Sequence, residues 1–406
     1  MTTSGDKMRA WSGPAILSFG FRPFFLLGAI WAALAMVVWV VMLTGRDALP
    51  TAFDPVSWHA HEFLFGYLGA VLAGFLLTAV PNWTGRLPVV GWPLAGLVAL
   101  WLAGRVAVAV SALLPWGLVL AIDLAFPVAL IAVLTREIVA GRNWKNLAVL
   151  GLVFGMILAN GLYFLDAARG GYPAESLGLR LGLGIAVMLI SLIGGRIIPS
   201  FTRNWLAQRQ SQRLPVPFGR ADAVVLLLTL AALVFWVVWP DRPGVAVGLG
   251  LVAVAQAWRL SRWAGHLARA EPLVWVLHVG YGLVPLGVLA VAMARVLPGM
   301  APAALHVWLA GAVGLMTLAV MTRASLGHAG RPLHASRPIT ALYLALIVSV
   351  LARLAAGAFP GQGWLLYLAA SAWIAAFGGF AVIYWPILAR PRSARPMPTG
   401  AARARG

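Results

Sequence analysis

The chain has no cysteine in its 406 residues. This excludes disulfides, thiolate metal sites and covalent haem attachment through a CxxCH motif, so any metal must be held by histidine, carboxylate, methionine or backbone oxygen. Charge is scarce as well. Only 10% of the residues are Asp, Glu, Lys or Arg, and just 11 are acidic. No separate soluble domain is visible, because the longest connection, read as 199–220, is a short basic loop. No histidine occurs between His61 and His266. What is abundant is apolar: 62% of the residues are hydrophobic, in runs too long for a soluble core.

The apolar runs fall at 23–44, 58–80, 91–110, 114–135, 146–166, 177–198, 222–239, 244–262, 272–296, 302–322, 338–358 and 363–389. Each is long enough to cross the roughly 30 Å of a bilayer core as a helix. The expectation is an all-α polytopic membrane bundle of twelve helices, with 1–22 a cytoplasmic tail, 23–389 one transmembrane domain and 390–406 a disordered cytoplasmic tail. The first residues carry Lys7 and Arg9 and no small-residue cleavage site, which reads as a tail and not a cleaved signal. Of the 30 Lys and Arg, only Arg46, Arg105, Arg169, Arg180, Arg242, Arg295 and Arg353 fall on the side opposite the N-terminus. This bias predicts N-in and C-in. It also accounts for most of the net charge of +19 through orientation and anionic headgroups, so nucleic-acid binding loses its main support.

A faint internal echo links helix 2 (GAVLAGFLLTAVPNWTGR), helix 6 (GIAVMLISLIGGRIIPSFTRNW) and helix 10 (AGAVGLMTLAVMTRASLGHAGR). Spacing by four helices fits three four-helix units, whereas a two-half transporter would place its echo six helices apart. Small residues and Leu are common in all membrane helices, which weakens the echo.

The seven histidines fall at two depths. His59 and His61 open helix 2 and His306 opens helix 10, all at one end. His278 lies about two turns inside helix 9 from the other end, and His266, His328 and His334 fall in or near loops. Any one alone reads as an interfacial anchor, but His59, Glu62, Gly66, Gly69 and Ala73 share one stripe of helix 2, and His306, Ala310, Gly314 and Thr317 one stripe of helix 10. Small residues allow close helix packing. They also leave room for a planar macrocycle with an axial imidazole. His59 and His61, about 200° apart on a regular helix, are not expected on the same metal, and Glu62 is placed to orient His59 through its second ring nitrogen. Arg105 and Arg353 sit at the same depth. Snorkelling explains them equally well as forks that hold haem propionates. Asp123 and Asn160 fall inside helices, where Asp123 can pair with an arginine, carry protons or be a packed charge. His278 is the copper candidate, with Asn82, Arg86, Arg196, Asn204, Arg323 and His328 forming a polar level near it.

The strings SFGFRPFFLLG (18–28), WHAHEFLFGY (58–67), GFLLTAVPNWTGRLPVVG (74–91), GGRIIPSFTRNWL (194–206) and MTRASLGHAGRPL (321–333) resemble the NnrS family over nearly the whole chain. The resemblance implies a bacterial inner-membrane protein carrying non-covalent haem, of b type, and copper, associated with denitrification and tolerance of nitric oxide. The family's WHxHE segment maps onto Trp58, His59, His61 and Glu62. It implies no particular reaction and assigns no catalytic residue. Candidate ligands on helices 2 and 10 also resemble the layout of haem–copper oxidases, but further histidines on helices 6 and 7 are missing, so that design is not expected. The leading expectation is a membrane haem and copper protein that binds or processes nitric oxide or a derived species. It has an imidazole of His59, His61 or His306 on the iron, Arg105 and Arg353 on the propionates, and His278 with other imidazoles on copper. The competing one is a secondary transporter of a small solute or metal complex, using Asp123, Asn160 and the arginines. A third, an electron carrier with two haems, would consume most of the histidines.

Overall fold

The computed structural model describes residues 11–391 except Asp47 and Pro298. Most of both expected tails, 1–10 and 392–406, lies outside the described residues. Among the described residues there is no strand. Twelve helices are long and apolar enough to span a membrane: α1 Phe21–Leu43, α2 Pro55–Thr84, α3 Trp92–Ala109, α4 Trp116–Ala140, α5 Trp144–Ala168, α6 Leu177–Ala207, α7 Arg220–Val238, α8 Pro243–Ser261, α9 Pro272–Met293, α10 Ala301–His328, α11 Arg337–Ala358 and α12 Trp364–Leu388. The all-α, polytopic expectation holds.

Three central spans outrun their apolar stretches, and α4 also continues past its expected end at 135, to Ala140. Helices α2, α6 and α10 continue past the expected ends at 80, 198 and 322 through Asn82, Arg203 and Arg323. Hydropathy ends where the side chains turn polar, but the backbone goes on hydrogen-bonding within the helix into the interface. The loop expected from Pro199 is therefore helical as far as Ala207. At its start, α2 is set by Asp54, whose carboxylate accepts from the N–H groups of Val56 (2.9 Å) and Ser57 (3.0 Å) ahead of Pro55. That is a capped helix with proline in its first turn. Gly85, at φ 69°, closes the other end in the left-handed conformation.

The same three spans each contain a π-helical turn, at Glu62–Tyr67, Ile190–Gly194 and Val307–Val313. In their apolar stretches 72, 67 and 78% of residues are buried, against 28–56% in the other nine. They form the centre of the bundle. Tyr67 and Thr317 share a 2.7 Å hydroxyl–hydroxyl hydrogen bond between α2 and α10. Gly182 of α6 lies against Leu64 and Phe65 of α2, and Gly194 against Met316 of α10. Length, burial and π-turn recur at a spacing of four spans, as three four-helix units require and two six-helix halves do not.

A glycine is required where α6 passes α8. A Cβ on Gly195 would lie 2.1 Å from Nη2 of Arg259, whose fully buried guanidinium is held by Asp222 Oδ1 (3.0 Å), Ser191 O (2.9 Å) and Tyr281 Oη (2.9 Å). Gly195→Ala is expected to destabilise the protein by about 1–3 kcal/mol, the usual cost of overpacking. A lower thermal midpoint in detergent checks this, and an unchanged midpoint would mean that the α6 backbone yields freely.

Candidate functional site

The end of the bundle where α2, α6 and α10 begin holds a cavity of about 680 Å³. His59 and His306 line it from α2 and α10, and Arg353 from α11. The two imidazole rings are nearly parallel (13°), with centroids 6.1 Å apart. Aromatic faces orient His59: Trp39 of α1 stacks on it at 4.3 Å, and Phe63 lies at 4.5 Å. Its buried Nδ1 has no hydrogen-bond partner. His306 is held differently, through Nδ1 and the Pro302 carbonyl oxygen at 2.6 Å. With the proton on Nδ1, that contact fixes the tautomer and leaves Nε2 as a free lone pair. Arg353 Nε and Trp39 Nε1 are likewise buried and unpartnered, a costly arrangement unless a ligand completes it. Four unfulfilled groups thus line one cavity.

His61 belongs to a different place. It is fully buried, with Nδ1 3.1 Å from Glu62 Oε1 and Nε2 3.1 Å from Asn160 Oδ1 and 3.4 Å from Asp123 Oδ2. Arg105 bridges the two carboxylates, donating to Glu62 Oε1 at 2.6 Å and to Asp123 Oδ1. Asn160 donates to Asp123 Oδ2 (2.7 Å) and Trp31 to Glu62 Oε2 (2.7 Å). Both ring nitrogens of His61 thus lie against oxygens, and Arg105 places a cation between Glu62 and Asp123. Of the three roles open to Asp123 in sequence, the structure realises pairing with an arginine.

Several sequence assignments move as a result. The Glu62 carboxylate contacts His61, Arg105 and Trp31, and none of its side-chain hydrogen bonds is with His59. The π-turn that begins at Glu62 ends the regular i, i+3 stripe. The space beside Gly66 is filled by Arg105, whose Nη1 would lie 2.2 Å from a Cβ there, so this part of the small-residue stripe houses a guanidinium and not a macrocycle. Arg105 does not line the cavity, and its fork is already taken by two carboxylates. Trp39 and Trp31 were not legible as site residues, since nothing in sequence singles them out among 19 tryptophans.

The three-unit arrangement explains why Arg353 differs from Arg105. They occupy equivalent spans, α3 and α11, Arg105 four residues before the end at Ala109 and Arg353 five before the end at Ala358. His61 and His306 are each the last residue before a π-turn. The π-turns then open with Glu62 in one unit and Val307 in the other. The position held by Glu62 in one unit is held by Val307 in the other, and among the described residues Arg353 has no carboxylate partner and a buried, unpartnered Nε.

The remaining histidines are engaged or apart. His278 meets the Thr202 hydroxyl through Nε2 (2.8 Å), with Gly265 packed so close to Nδ1 that a Cβ would lie 2.4 Å away. His266 sits in the turn Gly265–Ala268. The rings of Phe19 and Phe21 lie against His328, each at 5.3 Å. His334 Nδ1 is 2.7 Å from Glu271 Oε2. Among the described residues no group of three or more His, Asp or Glu is gathered to hold a metal ion. The donor set around His278 does not fit copper.

Compared with known families, residues 15–392 match the family model described as NnrS protein. No curated protein matches the chain.

Proposed function

Because the chain belongs to the NnrS family, whose membership suggests a role in the nitric oxide response, we propose that its cavity holds a haem at which nitric oxide or a derived species is bound. The observation that carries this reading is the presence of the His59 and His306 rings side by side in one cavity. The rings are 6.1 Å apart and nearly parallel. A metal shared by the two imidazoles through bonds of about 2 Å would need ring centres about this far apart. His59 and His306 would be the imidazoles available to the iron, one of which would have to give way for nitric oxide to bind, and Arg353 would hold a propionate carboxylate through its planar fork. A bound haem supplies reversible binding of diatomic ligands and one-electron chemistry.

The protein's own part is placement and exclusion. Trp39 and Phe63 hold the His59 ring, and the Pro302 carbonyl holds the His306 tautomer, so both ligands are oriented before anything binds. Nitric oxide is small and apolar enough to reach the cavity from the bilayer. The lysine and arginine bias would orient this end outward from a bacterial inner membrane. Copper takes no part in this reading, since among the described residues no donor set for it is gathered.

Absorption spectroscopy of protein purified from cells supplied with haem tests the proposal. A Soret band that shifts when the reduced protein meets nitric oxide is expected, and its absence would remove the reading in favour of transport. Arg353→Gln is expected to keep the fold and weaken haem retention about tenfold, corresponding to one charge-assisted hydrogen-bonded pair. Haem retention equal to wild type would remove Arg353 from the site.

A further inference from the structure

At the opposite end of the three central helices lies a second cavity, of about 580 Å³, walled by α2, α6 and α10 with α1 at its side. Its residues are layered by depth. Phe75, Thr78 and Asn82 follow one another along α2; Ile193, Ile197 and Asn204 along α6; Val320, Arg323 and Gly327 along α10. On every wall the innermost lining residue is apolar and polar groups follow it, on α6 Arg196 and then, past Ile197 and Phe201, Asn204. No carboxylate lines the cavity.

Two cations face into it with little to satisfy them. Arg323 is half-buried, lies over the Phe201 ring at 4.1 Å and makes no direct hydrogen bond or ion pair among the described residues, its electrostatic neighbours being Glu271 and Tyr343. Arg196 donates to Asn146 Oδ1 at 3.2 Å and has no carboxylate partner among them. The more deeply buried Arg105 and Arg259, by contrast, both hold Asp partners, while Arg353 at the other end, like Arg196 and Arg323, has none among the described residues. A guanidinium presents five donors in a fork that matches carboxylate and phosphate oxygens. A volume of this size suits a small organic molecule, far more than a single inorganic ion needs.

We propose that this vestibule binds an amphiphilic anion, with a phosphate or carboxylate head between Arg196 and Arg323 and an apolar body against Phe25, Phe75 and Val320. An anionic phospholipid and a free amphiphilic anion share this chemistry. The site is separate from the histidine cavity, at the other end of the same helices, and does not depend on the haem reading.

The test uses the full chain. Protein reconstituted with phosphatidylglycerol or with phosphatidylcholine is returned to detergent, and retained lipid is counted by native mass spectrometry. Butyl phosphate and inorganic phosphate are titrated by calorimetry in parallel. If a lipid is the occupant, phosphatidylglycerol is retained over phosphatidylcholine. If a free anion is, butyl phosphate binds more tightly than inorganic phosphate and neither lipid is preferred. In both cases Arg196→Gln with Arg323→Gln should reduce binding at least tenfold, and Ala324→Trp, which keeps both charges and fills the cavity, should do the same. Elution volume and thermal midpoint check that the variants are folded, and any Soret band should be unchanged. Binding that is equal in wild type and the double variant overturns the proposal, as does failure of every probe to bind wild type.

Discussion

Replacing His306 by alanine is expected to abolish the Soret band of protein purified from haem-supplied cells, and His59→Ala to do the same. Each removes one of two imidazoles whose ring centres lie 6.1 Å apart, and neither has a nearby histidine to replace it. His61 is the informative control. It lies two residues from His59 in the most histidine-dense stretch of the chain, yet both its ring nitrogens are engaged by Glu62, Asn160 and Asp123. His61→Gln should therefore keep the band while lowering the thermal midpoint, and His266→Ala should be normal on both counts. Retention of haem in His306→Ala, or its loss in His61→Gln with the fold intact, would defeat the pairing of α2 with α10.

The second large effect separates two arginines that sequence treats alike. Arg105→Leu is expected to cost on the order of 3–5 kcal/mol, because it leaves the fully buried Glu62 and the nearly buried Asp123 facing each other without their shared cation. Low yield and a large drop in thermal midpoint would report this. Arg353→Leu should have little effect on the midpoint of the haem-free protein, since it removes a guanidinium that has no carboxylate partner and a buried unpartnered Nε. Its effect should appear in haem retention. Similar midpoints for the two variants would show that the Arg105 network contributes no more than an exposed ion pair.

Much of the fold was legible before any coordinates. Apolar runs long enough to cross a bilayer announce themselves by length alone, because lipid leaves the backbone no choice but a helix. What hydropathy missed were the polar ends of α2, α6 and α10, where helices continue into an interface that tolerates Asn82, Arg203 and Arg323. The echo between those spans was weak in letters. In three dimensions it is carried by shared length, burial and a π-turn, features that many different sequences can satisfy.

The candidate site divided along the same line. Composition and spacing by themselves determined a cysteine-free twelve-helix membrane bundle, histidines near the starts of α2 and α10, and the separate roles of His59 and His61, because a regular helix holds residues two apart on different sides. Only the tertiary structure decided which side mattered. It closed Glu62 and Arg105 into a network with Asp123, and it opened a cavity before His59, His306 and Arg353. An arginine at a given depth reads the same in sequence whether or not a carboxylate stands across from it. That carboxylate comes from a different helix, and only the packing of the helices brings it near.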